Sequence, residues 1–552
     1  MVRGPTAVEE GAMPQTPLSA LSPKSAALCP TAKSPTTLGA AAGRGLRGGL
    51  SGRLLGRGRA GLARGRRARR PLWTLMGAVS LSLALAAPVS ADNIMVPNIG
   101  TAGSLGISVP KEIAIGDFFM RTARSKMPLV DDPVLTEYVT TLGNRLLAHA
   151  ANVNFPFEFF VVYDRNLNAS AFLGGKVAIN TGLFAYAQTE DEFASVIAHE
   201  ISHVTQRHIA RFIESTSMAN QLSMAGLIGA VAMSILNPAM GMAAVSTTVG
   251  AMAQSRINFT RDNEYEADRL GINLLYQAGL NPQGTVDMFR RLAAMQGNIN
   301  PAFTLLIDHP LSQIRVAEAQ NRVAQLERRK NSTNPDYDLA RARIMVRYDG
   351  HKTPAQLQTL KQRLRVNGEH FNAVLQNYAL ALTCFELKQY DEAWGYLDKL
   401  PGHLDSNLFV LDLKTDLDLH SGNASAAIAR LKPRYNREPL NQVLAVNLAN
   451  AYAESKNYGQ ARKLLEDYLR RKPSDVVALN LLASVQQKQN DRCALLQTRG
   501  EVYALSAAYA QAINSYNNAL RECDELLTRE RIKARVAQIA TQRSFDEELT
   551  HN

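Results

Sequence analysis

Tryptophan is almost missing from this chain, with two in 552 residues against 17 each of Tyr and Phe. Residues 1–70 hold no aromatic side chain at all, and only 2 acidic residues against 13 Lys and Arg. Such a segment cannot bury enough apolar surface to make a core, so it reads as a disordered basic leader. It also accounts for the overall charge. The formal net charge is +12, yet the other 482 residues carry 48 basic and 47 acidic side chains. No basic stripe interleaved with aromatics appears in that remainder, which excludes nucleic acid as a partner.

Long apolar runs are scarce too. Arg66-Arg67-Ala68-Arg69-Arg70 precedes one from Leu72 to Ala87, and Val89-Ser90-Ala91 follows as a small-x-small cleavage site ahead of Asp92. This order of regions makes residues 71–91 a secretory signal peptide, which marks the mature chain for export. An n-region as long as residues 1–70 is abnormal, so either translation starts further downstream or the extension is a genuine disordered segment. A mitochondrial presequence and a retained membrane anchor are the alternatives. A second run, residues 218–254, lacks charge altogether and is rich in Met, Ala and Gly. Asn237-Pro238 divides it into a two-helix hairpin, expected to be mobile and partly buried; peripheral membrane contact or ordinary core are the other readings.

What is present is concentrated in a few motifs. His199-Glu200-Ile201-Ser202-His203 lies in a segment expected to be one helix, from Thr189 to about Phe212. Thr189 and Glu192 make a capping box at its start, and Phe193, Val196, Ile197 and Val204 supply apolar surface. Imidazoles at i and i+4 share a helix face and can reach one metal ion. Glu200 can then contact water at that ion without ligating it. This is the H-E-x-x-H arrangement of zinc metallopeptidases, in which the Glu is the general base. A catalytic zinc keeps three protein ligands. In the helical run Asn263 to Gly271, Glu264 and Asp268 share a face while Glu266 points elsewhere. Glu264 is assigned to the metal, and Asp268 to orienting one of the histidines. Arg256 and Arg261 are weaker candidates for steadying an oxyanion. Of the cysteines, Cys384, Cys493 and Cys523 follow the leader and none lies near the histidines, so sulfur ligation is set aside. Cys493 and Cys523 either pair in an oxidising compartment or remain buried thiols; Cys384 is unpaired in both cases.

H-E-x-x-H together with N-E-x-E-A-D-x-x-G resembles the HtpX-type zinc metallopeptidases, and the resemblance implies Glu264 as third ligand. It extends to Glu112, Gly116, Asp132-Pro133, Tyr138 and Leu142-Gly143, and to Asn168-Ala169-Ser170-Ala171-Phe172 with Gly174-Gly175. Ser170 departs from the familiar form as an extra residue or a register change. Ile307-Asp308-His309-Pro310 resembles a segment lying near the active site of such proteins. His309 is therefore a candidate regulatory fourth ligand or transition-state contact, the alternative being a structural or surface histidine. Substrate is expected to lie extended along an edge strand at Val177-Ala178-Ile179.

From about Pro335 the pattern becomes helical and repetitive. Ala393, Ala427 and Ala461 fall 34 residues apart, the tetratricopeptide period. A unit near Val477 to Gln497 is degenerate, and Tyr509-Ala510-Gln511-Ala512-Ile513 marks a last one out of phase. The expected fold is α+β: a mainly helical zinc-metallopeptidase domain with a small sheet (residues 92–334, holding the hairpin), then an all-α tetratricopeptide-repeat solenoid (335–552). A plain helical bundle is the other reading of the second half. In this order the parts resemble the BepA (YfgC) family. The resemblance implies one Zn²⁺ per chain and a periplasmic endopeptidase with a chaperone-like role. Its partners would be unfolded or misassembled outer-membrane proteins and, through the repeats, the outer-membrane assembly machinery. Two rivals stand beside it: an adaptor working through its repeats with a latent protease, and a membrane-associated quality-control protease of an organelle.

Overall fold

The computed structural model describes residues 107–220, 253–295, 309–351, 353–366 and 371–551. The basic leader, the signal-like run and most of the 218–254 hairpin lie outside these residues. Among the described residues, no helix is long and apolar enough to cross a membrane.

The chain begins with α1 (Val109–Lys126) and α2 (Pro133–Leu147), followed by β1 (Glu158–Val162), β2 (Ala169–Phe172) and β3 (Lys176–Asn180). The sheet order is β1-β3-β2, with β3 parallel to β1 and antiparallel to β2. The strand expected at Lys176–Asn180 is therefore the middle one. Both its sides are paired, and among the described residues the free edge belongs to β2. The expectation that substrate lies along Val177-Ala178-Ile179 is corrected on this ground. Side-chain alternation identifies a strand, but its neighbours are decided by segments elsewhere in the chain. Ser170 sits in regular register opposite Ala178. The connection to β3 uses Gly174 and Gly175 at φ 70° and 79°, a region that glycine enters without steric cost.

Six helices follow among the described residues: α3 (Thr181–Tyr186), α4 (Glu190–Thr205), α5 (His208–Asn220), α6 (Ala253–Gln277), α7 (Gln283–Met295) and α8 (Gln313–Ala324). α4 carries the histidine motif and runs through the centre of the core. Phe193, Ile197 and Ile201, spaced four apart, are fully buried. Its first turn is anchored on three sides. Thr189 caps it by accepting from the Glu192 N–H, and Glu192 accepts from Gln188 N at 2.8 Å and from Arg291 of α7. Glu190 accepts from Tyr138 of α2, and Asp191 from the backbone of Asn281 and Ser332. Three carboxylates at a helix N-terminus suit its dipole. Here they also fix where the motif about two turns further on will sit.

The single helix expected from Thr189 to Phe212 is in fact two. Arg207 adopts φ 55°, which ends α4 and redirects α5. A left-handed residue other than glycine costs of the order of 1 kcal/mol, and the Arg207 side chain offsets this. It reaches Glu112 of α1 at 2.7 Å and also bonds the Ile107 carbonyl.

The second half is a string of helices: α9 (Pro335–Arg343), a π-helical turn (Ile344–Tyr348), α10 (Pro354–Val366), α11 (Ala373–Glu386), α12 (Tyr390–Leu397), α13 (Leu408–His420), α14 (Ala424–Tyr435), α15 (Gln442–Glu454), α16 (Tyr458–Leu469), α17 (Val476–Lys488), α18 (Arg492–Leu505), α19 (Tyr509–Glu522) and α20 (Leu526–His551). Ala393, Ala427 and Ala461 are fully buried, each early in the second helix of a pair, where a small side chain lets the helices approach. The turns before those helices repeat as well. Lys388, Gly422, Lys456 and Asn490 have positive φ and recur every 34 residues. The next such turn residue, Ala507, comes after only 17. α18 thus closes one pair and opens the next, which is why the last unit runs out of phase. Cys493 and Cys523 form a disulfide joining α18 to the end of α19, and Cys384 is a buried free thiol.

The two halves share one apolar core at their junction, from Val130 and Tyr138 through Tyr337 to Phe409. Buried ion pairs cross it. Arg343 bonds Asp132, the cap residue of α2, at 2.6 Å and Asp412 of α13 at 2.8 Å. Far along the chain the array touches the first half again. Asp546 of α20 receives Arg121 of α1 through two nitrogens, and Leu549 packs with Ile107, Ile115, Ala210 and Ile213.

Candidate metal centre

α4 presents His199 and His203 on one face, their Nε2 atoms 2.9 Å apart. α6 crosses that face and supplies Glu264, whose carboxylate oxygens lie 3.4 Å from each of those nitrogens. The helices approach this closely because residue 271 is glycine. A Cβ there would meet the His199 backbone nitrogen at 3.3 Å. His309, at the foot of α8, completes the group with Nδ1 2.9 Å from Glu264 and 3.3 Å from His199. Ligand atoms of these four residues all lie within 4.8 Å of one another. Two imidazoles, a carboxylate and a further imidazole at such spacing make a donor set of the kind that holds zinc.

Glu200, next to His199 on α4, borders the group on its His309 side and is 1% exposed. Its Oε1 has no hydrogen-bond partner among the described residues, and His309 Nε2 is 3.5 Å from it. Burial pushes this carboxyl up, while His309, His199 and the backbone N–H of Ala171 pull it down. Ala171 belongs to β2, so the outer strand of the sheet adjoins the Glu200 carboxylate.

The groups behind the cluster are as ordered as the cluster itself. Asp268 lies 3.0 Å from His199 Nδ1, so it is His199 that this carboxylate orients. Arg315 grips Asp268 through two nitrogens at 2.7 and 2.8 Å, and its Nη1 is 2.9 Å from Glu264. Burial works against charge on His199, but hydrogen bonds to Asp268 and Glu264 outweigh it and raise the imidazole to about 10. Burial and the facing His199 hold His203 well below the ordinary histidine range. Burial alone would raise Glu264, but His309 and His199 drive it far down. For His309, burial is outweighed by Glu264 and Glu200, and its pKa rises.

All of the main candidates come together here: His199, Glu200, His203, Glu264, Asp268 and His309. Arg261 does not, being exposed, and the Arg256 side chain lies outside the described residues. Three contributors went unrecognised in the sequence. Nothing near Arg315 in the sequence marks it, because its partners are 47 and 51 positions away. His208 and Glu266 pair with each other behind His203, and the break at Arg207 that allows it has no glycine or proline to announce it. A cavity of about 40 Å³ with a mostly apolar lining, including Val196, Met288 and Leu292, opens between α4, α6 and α7 beside His199.

Residues 133–323 match the family described as Peptidase family M48, and residues 418–485 match the tetratricopeptide repeat. The beta-barrel assembly-enhancing protease of Yersinia pestis is 37% identical over 450 residues, spanning 79% of this chain and 92% of that protein. Its counterpart in Escherichia coli K12 is 35% identical over 441 residues, 80% of this chain and 90% of that protein. The mitochondrial metalloendopeptidase OMA1 of Schizosaccharomyces pombe is 25% identical over 205 residues, covering 36% of this chain and 56% of that protein.

Proposed function

The chain belongs to the beta-barrel assembly-enhancing protease family, a group of metallopeptidases carrying tetratricopeptide repeats, and on that premise we propose that it is a zinc endopeptidase of the periplasm that removes or assists misassembled outer-membrane proteins. The observation that carries this reading is the convergence of His199, His203 and Glu264 beside a buried Glu200, whose Oε1 accepts no hydrogen bond among the described residues, and the outer strand β2. His199, His203 and Glu264 would hold the zinc. Zinc, when bound, polarises the scissile carbonyl and lowers the pKa of water.

The remaining work falls to the chain's own groups. Glu200 takes the proton from the attacking water and returns it to the leaving amine. β2 offers its unpaired backbone to an extended segment of substrate, which gives grip with little sequence preference. Unfolded chains are the substrates that can supply such a segment. Asp268 and Arg315 hold His199 and Glu264 in place throughout. His309 is a fourth donor that fills the position water needs, so its withdrawal opens the site. The repeats bring substrate and the outer-membrane assembly machinery to the enzyme. An export signal in the leader is the route to the periplasm.

Complementation with Glu200→Gln tests the reading. In a strain lacking the protein, this variant should fail to clear stalled β-barrel precursors. Purified, it should hydrolyse unfolded protein about 10²- to 10⁴-fold more slowly while binding zinc as the parent does. Full rescue by Glu200→Gln would make the chain an adaptor acting through its repeats.

A further inference from the structure

The two histidines of the motif are backed differently. Behind His199 Nδ1 stands a carboxylate, Asp268. Behind His203 Nδ1 stands another imidazole, with His208 Nδ1 2.8 Å away. The far nitrogen of His208 is 3.1 Å from Glu266 Oε2, and Arg211 Nη1 lies 3.1 Å from the same oxygen. We propose that His208 and Glu266 are positioning residues that set the tautomer and ring orientation of His203 at the metal. This deepens the reading above and rests on His203 being a ligand.

Counting hydrogens leaves one arrangement. A neutral imidazole that offers Nε2 to a metal carries its hydrogen on Nδ1. His203 Nδ1–H must then donate to His208 Nδ1, which accepts only if the His208 hydrogen is on Nε2. That hydrogen is donated to Glu266, a carboxylate with no hydrogen of its own to offer. Each donor in the line has an acceptor. Reversing the His208 tautomer would set two N–H groups head to head at 2.8 Å.

The backbone is shaped to make this contact. Along an unbroken helix, residue 208 would stand about 140° round the axis from residue 203. The left-handed Arg207 turns α5 back, so that the rings of His203 and His208 meet edge to face with centroids 4.8 Å apart. Arg207 is held in that conformation by Glu112. His208 is 3% exposed and uses both ring nitrogens, whereas a histidine that merely filled space would need neither aimed at the motif.

The test compares the full chain with His208→Leu, His208→Asn, Glu266→Gln and His203→Ala. Zinc affinity is read by chelator competition, and the ligand field by visible absorption after cobalt substitution. His208→Leu should weaken zinc binding about 10- to 100-fold and shift the cobalt bands. Asn places an acceptor oxygen near the Nδ1 position, so His208→Asn should keep most of the affinity. Glu266→Gln replaces an acceptor oxygen by an amide that can turn His208 round, and should fall between. It is a partly exposed site and decides the matter if His208→Leu does not fold. Parental affinity and spectrum in both His208→Leu and Glu266→Gln would overturn the proposal while leaving the ligand set intact. Parental affinity in His203→Ala would instead overturn the ligand set, and the proposal with it.

Discussion

The two halves of this chain bury charged side chains in different ways. Along much of the repeats a buried charge meets a partner nearer the surface on a nearby helix, as Lys361 meets Glu392 and Asp418 meets Arg430. Around the motif helix they converge instead. Glu264 alone faces His199, His203, His309 and Arg315. A couple answers its own desolvation cost and can recur at every period. A convergent cluster satisfies no member fully by its neighbour along the chain, and it requires three separate segments to arrive together. The array therefore rests on spacing and the site on tertiary packing.

Glu264→Ala should give the largest effect on this contrast. It removes a ligand and leaves Arg315 with Asp268 alone. Elemental analysis should find zinc lost, and hydrolysis of unfolded protein should fall to background. Zinc retained at parental stoichiometry would dissolve the idea of convergence on one ion. Arg343→Ala comes next. It strands Asp132 and Asp412 in the core between the halves and should cost about 3–5 kcal/mol in chemical denaturation. Because that pairing joins the first half to the array, the single transition should also divide in two. Ala461→Leu should do least. Overpacking one helix pair costs about 1–3 kcal/mol, and zinc content and hydrolysis of a short peptide should match the parent. A changed zinc affinity in that variant would mean the array is not local after all.

The same contrast explains what was legible beforehand. The alanines of the array, the capping box of α4, the strand at Lys176–Asn180 and the shared face of Glu264 and Asp268 all obey a period of the backbone, and periods survive in a sequence. The role of β2 as the free edge does not, since an edge is defined by what fails to pair with it. Nor does Arg207. Any arginine can continue a helix, and this one breaks it because Glu112, nearly a hundred positions earlier, is waiting for its guanidinium. With that break hidden, nothing in the sequence brings His208 to the ring of His203. Arg315 was overlooked for the complementary reason: a buried arginine looks like a surface one until its carboxylates are found.

The return of α20 to α1 has a bearing on how the molecule is made. Arg121 and Asp546 are 425 positions apart, and the apolar patch around Ile107 and Ile115 is partly roofed by Leu549. α1 is also the helix that supplies Glu112 to the turn at Arg207. A chain that emerges from its amino end therefore builds its catalytic half with one wall still exposed. That wall closes only after the last repeats have stacked. The outer side of α1 is in this way braced by the last helix to leave the ribosome.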